Sequence, residues 1–215
     1  MTAALPWPAL RRDLIAILRG IRPDEIDAVA AALVGAGFEA IEVPLNSPDP
    51  FRSIEHLARS FGSNLLVGAG TVLDADDVDR LRDAGGRLMV SPNIDRPVLE
   101  RAVTLGLVTL PGVFTASEAL AAQRHGASAL KVFPASVLGP AGMAAIRAVL
   151  PEGTVMGAVG GVSETDFAAY GAAGVRCFGL GSSLYKPGAS ADEIAAKARA
   201  VIAAYDEVFE GPPRS

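Results

Sequence analysis

A single cysteine, Cys177, occurs in 215 residues. That scarcity excludes an internal disulfide framework and any multi-cysteine metal site, and the setting V-R-C-F-G reads as a packed strand position. Histidine is nearly as rare. His56 and His125 lie in helical patterns with no ligand spacing between them and read as surface or helix-end residues. There is no H-E-x-x-H and no comparable carboxylate cluster, so no metal and no cofactor is expected. Ser182 and Ser183 have no histidine placed to activate them, which leaves a hydrolase triad without its base. Positive charge is in the minority, with 19 Lys and Arg against 24 Asp and Glu. A net charge of -5 gives no general attraction for nucleic acid or an anionic membrane, so an anionic ligand must be held by local groups. No run reaches the roughly 20 apolar residues that span a bilayer, and the start M-T-A-A-L-P-W-P lacks a basic region followed by a long apolar one. The expectation is a cytoplasmic protein. Low-complexity stretches and Gly/Ser-rich linkers are also missing, which points to one domain over residues 1–215.

What the chain does contain is short runs rich in Val, Ile and Leu alternating with longer segments of helical period. That alternation is the mark of βα units with a parallel sheet. Candidate strands cover 14–18, 40–43, 65–69, 88–90, 107–110, 129–133, 155–159 and 175–180. Helix starts are signalled after Pro23-Asp24-Glu25, at Asp74 to Asp77, at Thr115 to Glu118 and at Ser163 to Asp166, and helix ends by Gly37, Gly85, Gly106, Gly126 and Gly174. Eight such units fit a (β/α)₈ TIM barrel; strand count alone leaves a doubly wound open sheet as the alternative. Residues 1–12, with two prolines around Trp7, are expected to form a lid or extra helix over the barrel bottom, and residues 210–215 a frayed tail.

In such a barrel the reactive groups lie at the C-terminal ends of the strands. Those ends carry Arg19-Gly20, Glu42, Gly70-Thr71, Pro92-Asn93, Lys131, Gly160-Gly161 and Gly181-Ser182-Ser183. Lys131 is one of three lysines. Lys186 reads as part of a surface turn, Y-K-P-G, and Lys197 as part of a polar helix face, whereas Lys131 interrupts the apolar run A-L-K-V-F-P. Burial there favours the neutral amine, a nucleophile toward a carbonyl carbon. Glu42, in A-I-E-V-P, is placed to point into the mouth beside it and to move protons. The residues alone leave open a lysine reaching for the rim and a structural Glu42–Lys131 ion pair. Arg19 suits a carboxylate or phosphate, or a structural contact with Glu42. The glycine turns Gly160-Gly161 and Gly181-Ser182 allow close backbone approach to a phosphate, and Thr71 and Phe133 shape the pocket or simply fill core.

The ordered motifs G-F-E-A-I-E-V-P-L-N (37–46), G-A-G-T-V (68–72), S-P-N (91–93), G-A-S-A-L-K-V-F-P-A-S-V-L-G (126–139), A-V-G-G-V (158–162) and G-L-G-S (179–182) run through nearly the entire chain. In them the sequence resembles the 2-dehydro-3-deoxy-phosphogluconate and 4-hydroxy-2-oxoglutarate aldolases. The resemblance implies a metal-free homotrimer of (β/α)₈ barrels. It implies Lys131 as the imine-forming lysine, Glu42 as the proton-transferring acid, Arg19, Thr71 and Pro92 around a pyruvyl group, and Gly160, Gly161, Gly181 and Ser182 around phosphate. V-P-L-N-S-P follows the acid where gluconate-type members have T-L-R, which resembles the 6-phosphogalactonate branch. The reaction so implied is cleavage of 2-dehydro-3-deoxy-6-phosphogalactonate to pyruvate and glyceraldehyde 3-phosphate. Its rivals are the C4 epimer, the 4-hydroxy-2-oxoglutarate reaction, a non-covalent phosphosugar epimerase or isomerase using Glu42, and an inactive sugar-phosphate binding protein.

Overall fold

The computed structural model describes residues 4–209. Along the chain run β1 (Leu14–Ile17), α1 (Ile26–Ala36), β2 (Ala40–Pro44), α2 (Pro50–Phe61), β3 (Leu66–Gly70), α3 (Ala75–Asp83), β4 (Leu88–Val90) and α4 (Arg96–Thr104). Then follow β5 (Val108–Leu110, resumed as Gly112–Val113), α5 (Ala116–Arg124), β6 (Leu130–Val132), α6 (Ala135–Arg147), β7 (Met156–Val159), α7 (Phe167–Ala172), β8 (Cys177–Leu180) and α8 (Ala191–Phe209). All pairings are parallel.

Closure turns on Pro111. Lacking an N–H, it splits the fifth strand, so the sheet runs from Val108–Leu110, beside β4, round to Gly112–Val113, beside β6. The seam between β5 and β6 is nevertheless hydrogen-bonded: Ala129 N–H donates to Thr109 O at 3.1 Å, Lys131 N–H to Pro111 O at 2.9 Å and Phe133 N–H to Val113 O at 3.1 Å. The sheet is therefore a closed barrel and not the open, doubly wound alternative. The continuation past Pro111 is the one strand segment that apolar runs do not announce, since Gly112 contributes no hydrophobic side chain.

Strand alternation sorts the core into two. Ile15, Ala40, Leu66, Leu88, Val108, Ala129 and Cys177 fill the barrel interior. Their neighbours Leu14, Ala16, Ile41, Val43, Val67, Leu130 and Phe178 pack outward against the helices. Two of the four helix-start signals close capping boxes, Thr115 with Glu118 and Ser163 with Asp166, whereas Glu25 and Asp74 stand at the starts of α1 and α3 without a side-chain cap bond; the five helix-ending glycines all have positive φ.

The segment 4–12 forms no helix, because prolines at 6 and 8 interrupt hydrogen bonding, but it does cover the barrel bottom. Trp7 and Leu10 pack on the interior cluster, and Trp7 Nε1 donates to Asp13 at 2.8 Å. Arg12 then grips Asp206 of α8 through two bonds of 2.5 and 2.6 Å. The tail expected at 210–215 lies outside the described residues. Among the described residues no helix is long and apolar enough to cross a membrane. Since Trp7 is half-buried under the interior layer, Trp7→Ala should cost about 2 kcal/mol of stability. Urea unfolding checks it: the midpoint falls at unchanged slope, and an unmoved midpoint would show the plug to be dispensable.

Candidate active site

Side-chain parity carries the polar residues inward. Lys131 lies two residues beyond the interior Ala129, and Glu42 two beyond Ala40, so both enter the barrel one layer above the apolar floor. In register, Glu42 lies between Ile17 and Gly68, and Lys131 between Gly112 and Gly157. Three of these four neighbours have no side chain. Glycine at those positions lets neighbouring groups approach closely: an added Cβ would meet the Leu88 backbone at Gly68, the Pro92 backbone at Gly112 and Cys177 Sγ at Gly157.

Above this layer opens a cavity of about 520 Å³ at the C-terminal end of the strands. Its walls include Arg19, Thr71, Pro92, Lys131, Phe133, Gly160, Gly161, Gly181 and Ser182. Every residue expected at the site except Glu42 thus borders one space. Glu42 is only 1% exposed and stands behind the wall, its carboxylate lodged against Gly70. A Cβ on Gly70 would lie 1.7 Å from Glu42 Oε2, so no other residue there leaves the carboxylate where it is.

Burial sets the electrostatics. It raises the Glu42 carboxyl to about 7, with the charges of Lys131 and Arg19 only partly opposing the rise. It also depresses the Lys131 amine; Glu42 opposes this, and Arg19 adds to it. Glu42 Oε2 is buried without a hydrogen-bond partner, which a tight ion pair through that oxygen would have satisfied. The Lys131 ammonium faces the Phe133 ring, 5.1 Å from its centroid. A carboxyl titrating near neutrality beside an amine whose pKa burial lowers can exchange protons with a bound carbonyl compound at ordinary pH.

The remaining walls are set by backbone. Thr71 adopts φ +56°, unusual for a β-branched residue, immediately after Gly70. Gly160 and Gly161 have φ +91° and +70°; added side chains would strike the Phe133 ring and Ser136 Oγ. Arg19 donates to Asn46 Oδ1 at 2.5 Å instead of pairing with Glu42, and Gly20 N–H donates to Ser47 Oγ at 2.9 Å. The β2–α2 loop therefore holds the β1–α1 loop. Nothing in the sequence of Asn46 announces that contact beyond its place in V-P-L-N.

Lys186, expected in an ordinary surface turn, borders the cavity together with Tyr185 and Pro187. Its membership of the loop after β8, which also carries Gly181 and Ser182, was the available signal. His125 caps the end of α5, 3.4 Å from Glu100, and His56 lies on α2, 3.7 Å from Asp27. Neither borders the cavity. Cys177 packs in the interior.

The chain is 59% identical over 207 residues to the probable 2-dehydro-3-deoxy-6-phosphogalactonate aldolase of Rhizobium meliloti (strain 1021), covering 96% of this chain and 98% of that protein. It is 46% identical over 197 residues to the 2-dehydro-3-deoxy-6-phosphogalactonate aldolase of Escherichia coli (strain K12), covering 92% and 96%. A solved structure described as native KDPGal superposes with a TM-score of 0.93 at 45% identity, over 96% of this chain and 100% of that one. The family model for KDPG and KHG aldolases matches residues 9–200, and this chain belongs to that family.

Proposed function

We propose that the protein is a class I aldolase cleaving 2-dehydro-3-deoxy-6-phosphogalactonate to pyruvate and D-glyceraldehyde 3-phosphate. The observation that carries the chemistry is the pairing of a buried, depressed lysine with a buried carboxyl raised to about 7. The substrate follows the proteins to which the chain is 59% and 46% identical. Neutral Lys131 attacks the C2 carbonyl. Glu42, through a water, supplies the proton with which the carbinolamine hydroxyl leaves, giving a protonated imine. The resulting carboxylate takes the proton of the C4 hydroxyl by the same route. As the C3–C4 bond breaks, its electrons pass into the iminium, C4 becomes the aldehyde of glyceraldehyde 3-phosphate, and an enamine stays on the lysine. Protonation at C3 and hydrolysis release pyruvate and restore the amine. Arg19, held by Asn46, orients an anionic end; Thr71, Pro92 and Phe133 enclose the pyruvyl portion; the turns at Gly160-Gly161 and Gly181-Ser182 receive phosphate. No bound cofactor enters this scheme.

The protein is proposed to act in the cytoplasm as a homotrimer of single-domain barrels. Exposed Leu73, Phe114 and Val137, from the loops after β3 and β5 and the start of α6, offer apolar surface for such a contact. Light scattering on the purified protein tests the assembly.

Borohydride with pyruvate should add a reduced adduct to Lys131, found by peptide mass spectrometry, and Lys131→Ala should abolish both adduct and turnover. Turnover surviving after that treatment would instead mark a non-covalent epimerase. Specificity constants should favour the galactonate over the gluconate epimer; equal or reversed preference keeps the aldolase and overturns the substrate.

Glu42 generates a paired prediction. Its folded-state pKa of about 7 lies above the ordinary carboxyl value of 4.5, so the native state binds more protons than the unfolded chain between those values. Its contribution to stability is therefore complete below about pH 4.5 and lost as pH rises through 7. Glu42→Gln should flatten the stability profile across that window, lower kcat about 10²- to 10⁴-fold and remove the ionisation near 7 from kcat/KM. A retained ionisation would assign it to another group.

Gly70→Ala should cause a smaller loss of kcat by displacing the carboxylate, with trapping at Lys131 still observed. Wild-type kcat in that variant would show that the position of Glu42 is not critical.

A further inference from the structure

Apart from Lys131, two charged side chains border the cavity, Arg19 and Lys186, and both are cations. Their situations differ. Arg19 is committed to Asn46, and Lys197, elsewhere on α8, lies near Glu193. Among the described residues, Lys186 has no acidic partner and no side-chain hydrogen bond. Its backbone is nonetheless fixed on both sides. Tyr185 is 3% exposed, and Pro187 abuts Gly20, where an added Cβ would lie 2.9 Å from its Cγ. The Lys186 carbonyl accepts the Ala189 N–H at 3.1 Å, closing the turn. The exposed ammonium is thus carried on a braced stretch at the rim, whereas Lys131 lies deep, at 5% exposure.

That difference in depth assigns an end of the substrate to each lysine. The carbon bonded to Lys131 is C2, so the attached carboxylate must lie deep in the cavity. The phosphate on C6 is four carbon–carbon bonds farther along the chain, toward the rim. We propose that Lys186 binds the substrate phosphate, as the charged member of a subsite whose backbone is the Gly181-Ser182 turn of the same loop. This deepens the aldolase reading and rests on it. An ammonium without a competing carboxylate is available to a dianion without first breaking an ion pair, and in an acidic protein it supplies local attraction that the overall charge opposes.

The test compares wild type, Lys186→Gln and Lys186→Arg on 2-dehydro-3-deoxy-6-phosphogalactonate and on the same sugar acid without phosphate. Lys186→Gln should raise KM for the phosphorylated compound about tenfold, with a smaller change in kcat, and narrow the preference for it over the unphosphorylated one. Lys186→Arg should restore most of the loss, and the gap between wild type and the glutamine variant should shrink as salt is raised. A wild-type KM in Lys186→Gln, or an equal loss on both compounds, overturns the phosphate assignment while wild-type turnover leaves the aldolase reading standing. Failure of wild type on both compounds strikes that reading instead.

Discussion

An amine and a carboxyl group buried together in one apolar barrel impose the constraint around which the upper half of the molecule is arranged. Each group alone would shed its charge: burial raises Glu42 and depresses Lys131, and each opposes the other's shift. A tight ion pair would have locked both in charged form, favouring structure over chemistry. Oε2 of Glu42 instead stays without a hydrogen-bond partner against Gly70, and the Lys131 ammonium faces an aromatic ring. The Glu42 proton is accordingly exchangeable near neutral pH, beside an amine that burial pushes toward its neutral form.

The two layers of the barrel divide that task. The lower layer is filled with Ile15, Leu66, Leu88 and Val108 and closed from below by Trp7. The upper layer has glycine at 68, 112 and 157 in register with the two polar residues, where a side chain would strike Leu88, Pro92 or Cys177, and glycine at 70, where it would strike the Glu42 carboxylate. Pro111 links closure to the site. It breaks the fifth strand, yet its carbonyl holds the backbone N–H of Lys131, so barrel closure and the placement of the lysine depend on the same peptide.

How much of this was legible in the sequence follows from the range of the forces involved. Apolar runs and capping residues are local, and they located the eight strands, and the helix ends that carry such signals, to within a residue or two. The resumption of the fifth strand at Gly112–Val113 escaped because pairing with β6, distant in sequence, decides it. Parity along a strand is local too, and it brought Lys131, Glu42 and the other strand-end residues to one place. The recess of Glu42 behind the cavity wall was not legible: it depends on a missing side chain at Gly70, on the neighbouring strand. The contacts of Asn46 and Pro187 likewise belong to loops that meet only in the closed barrel, Asn46 with Arg19 and Pro187 with Gly20.

The recess resolves a conflict between catalysis and binding. An aldolase of this kind needs a carboxyl group near the imine, yet its substrate arrives with a carboxylate and a phosphate, and the protein as a whole is acidic. A carboxylate in the cavity wall would repel both ends of the substrate and cancel the field of the lysines. Set against Gly70 and outside the cavity lining, with its carboxyl raised to about 7, Glu42 is substantially protonated near neutral pH, and the charged groups that border the cavity are all cationic. Burial thus keeps the acid from opposing substrate entry, and the same burial brings its pKa to where it can both give and take a proton.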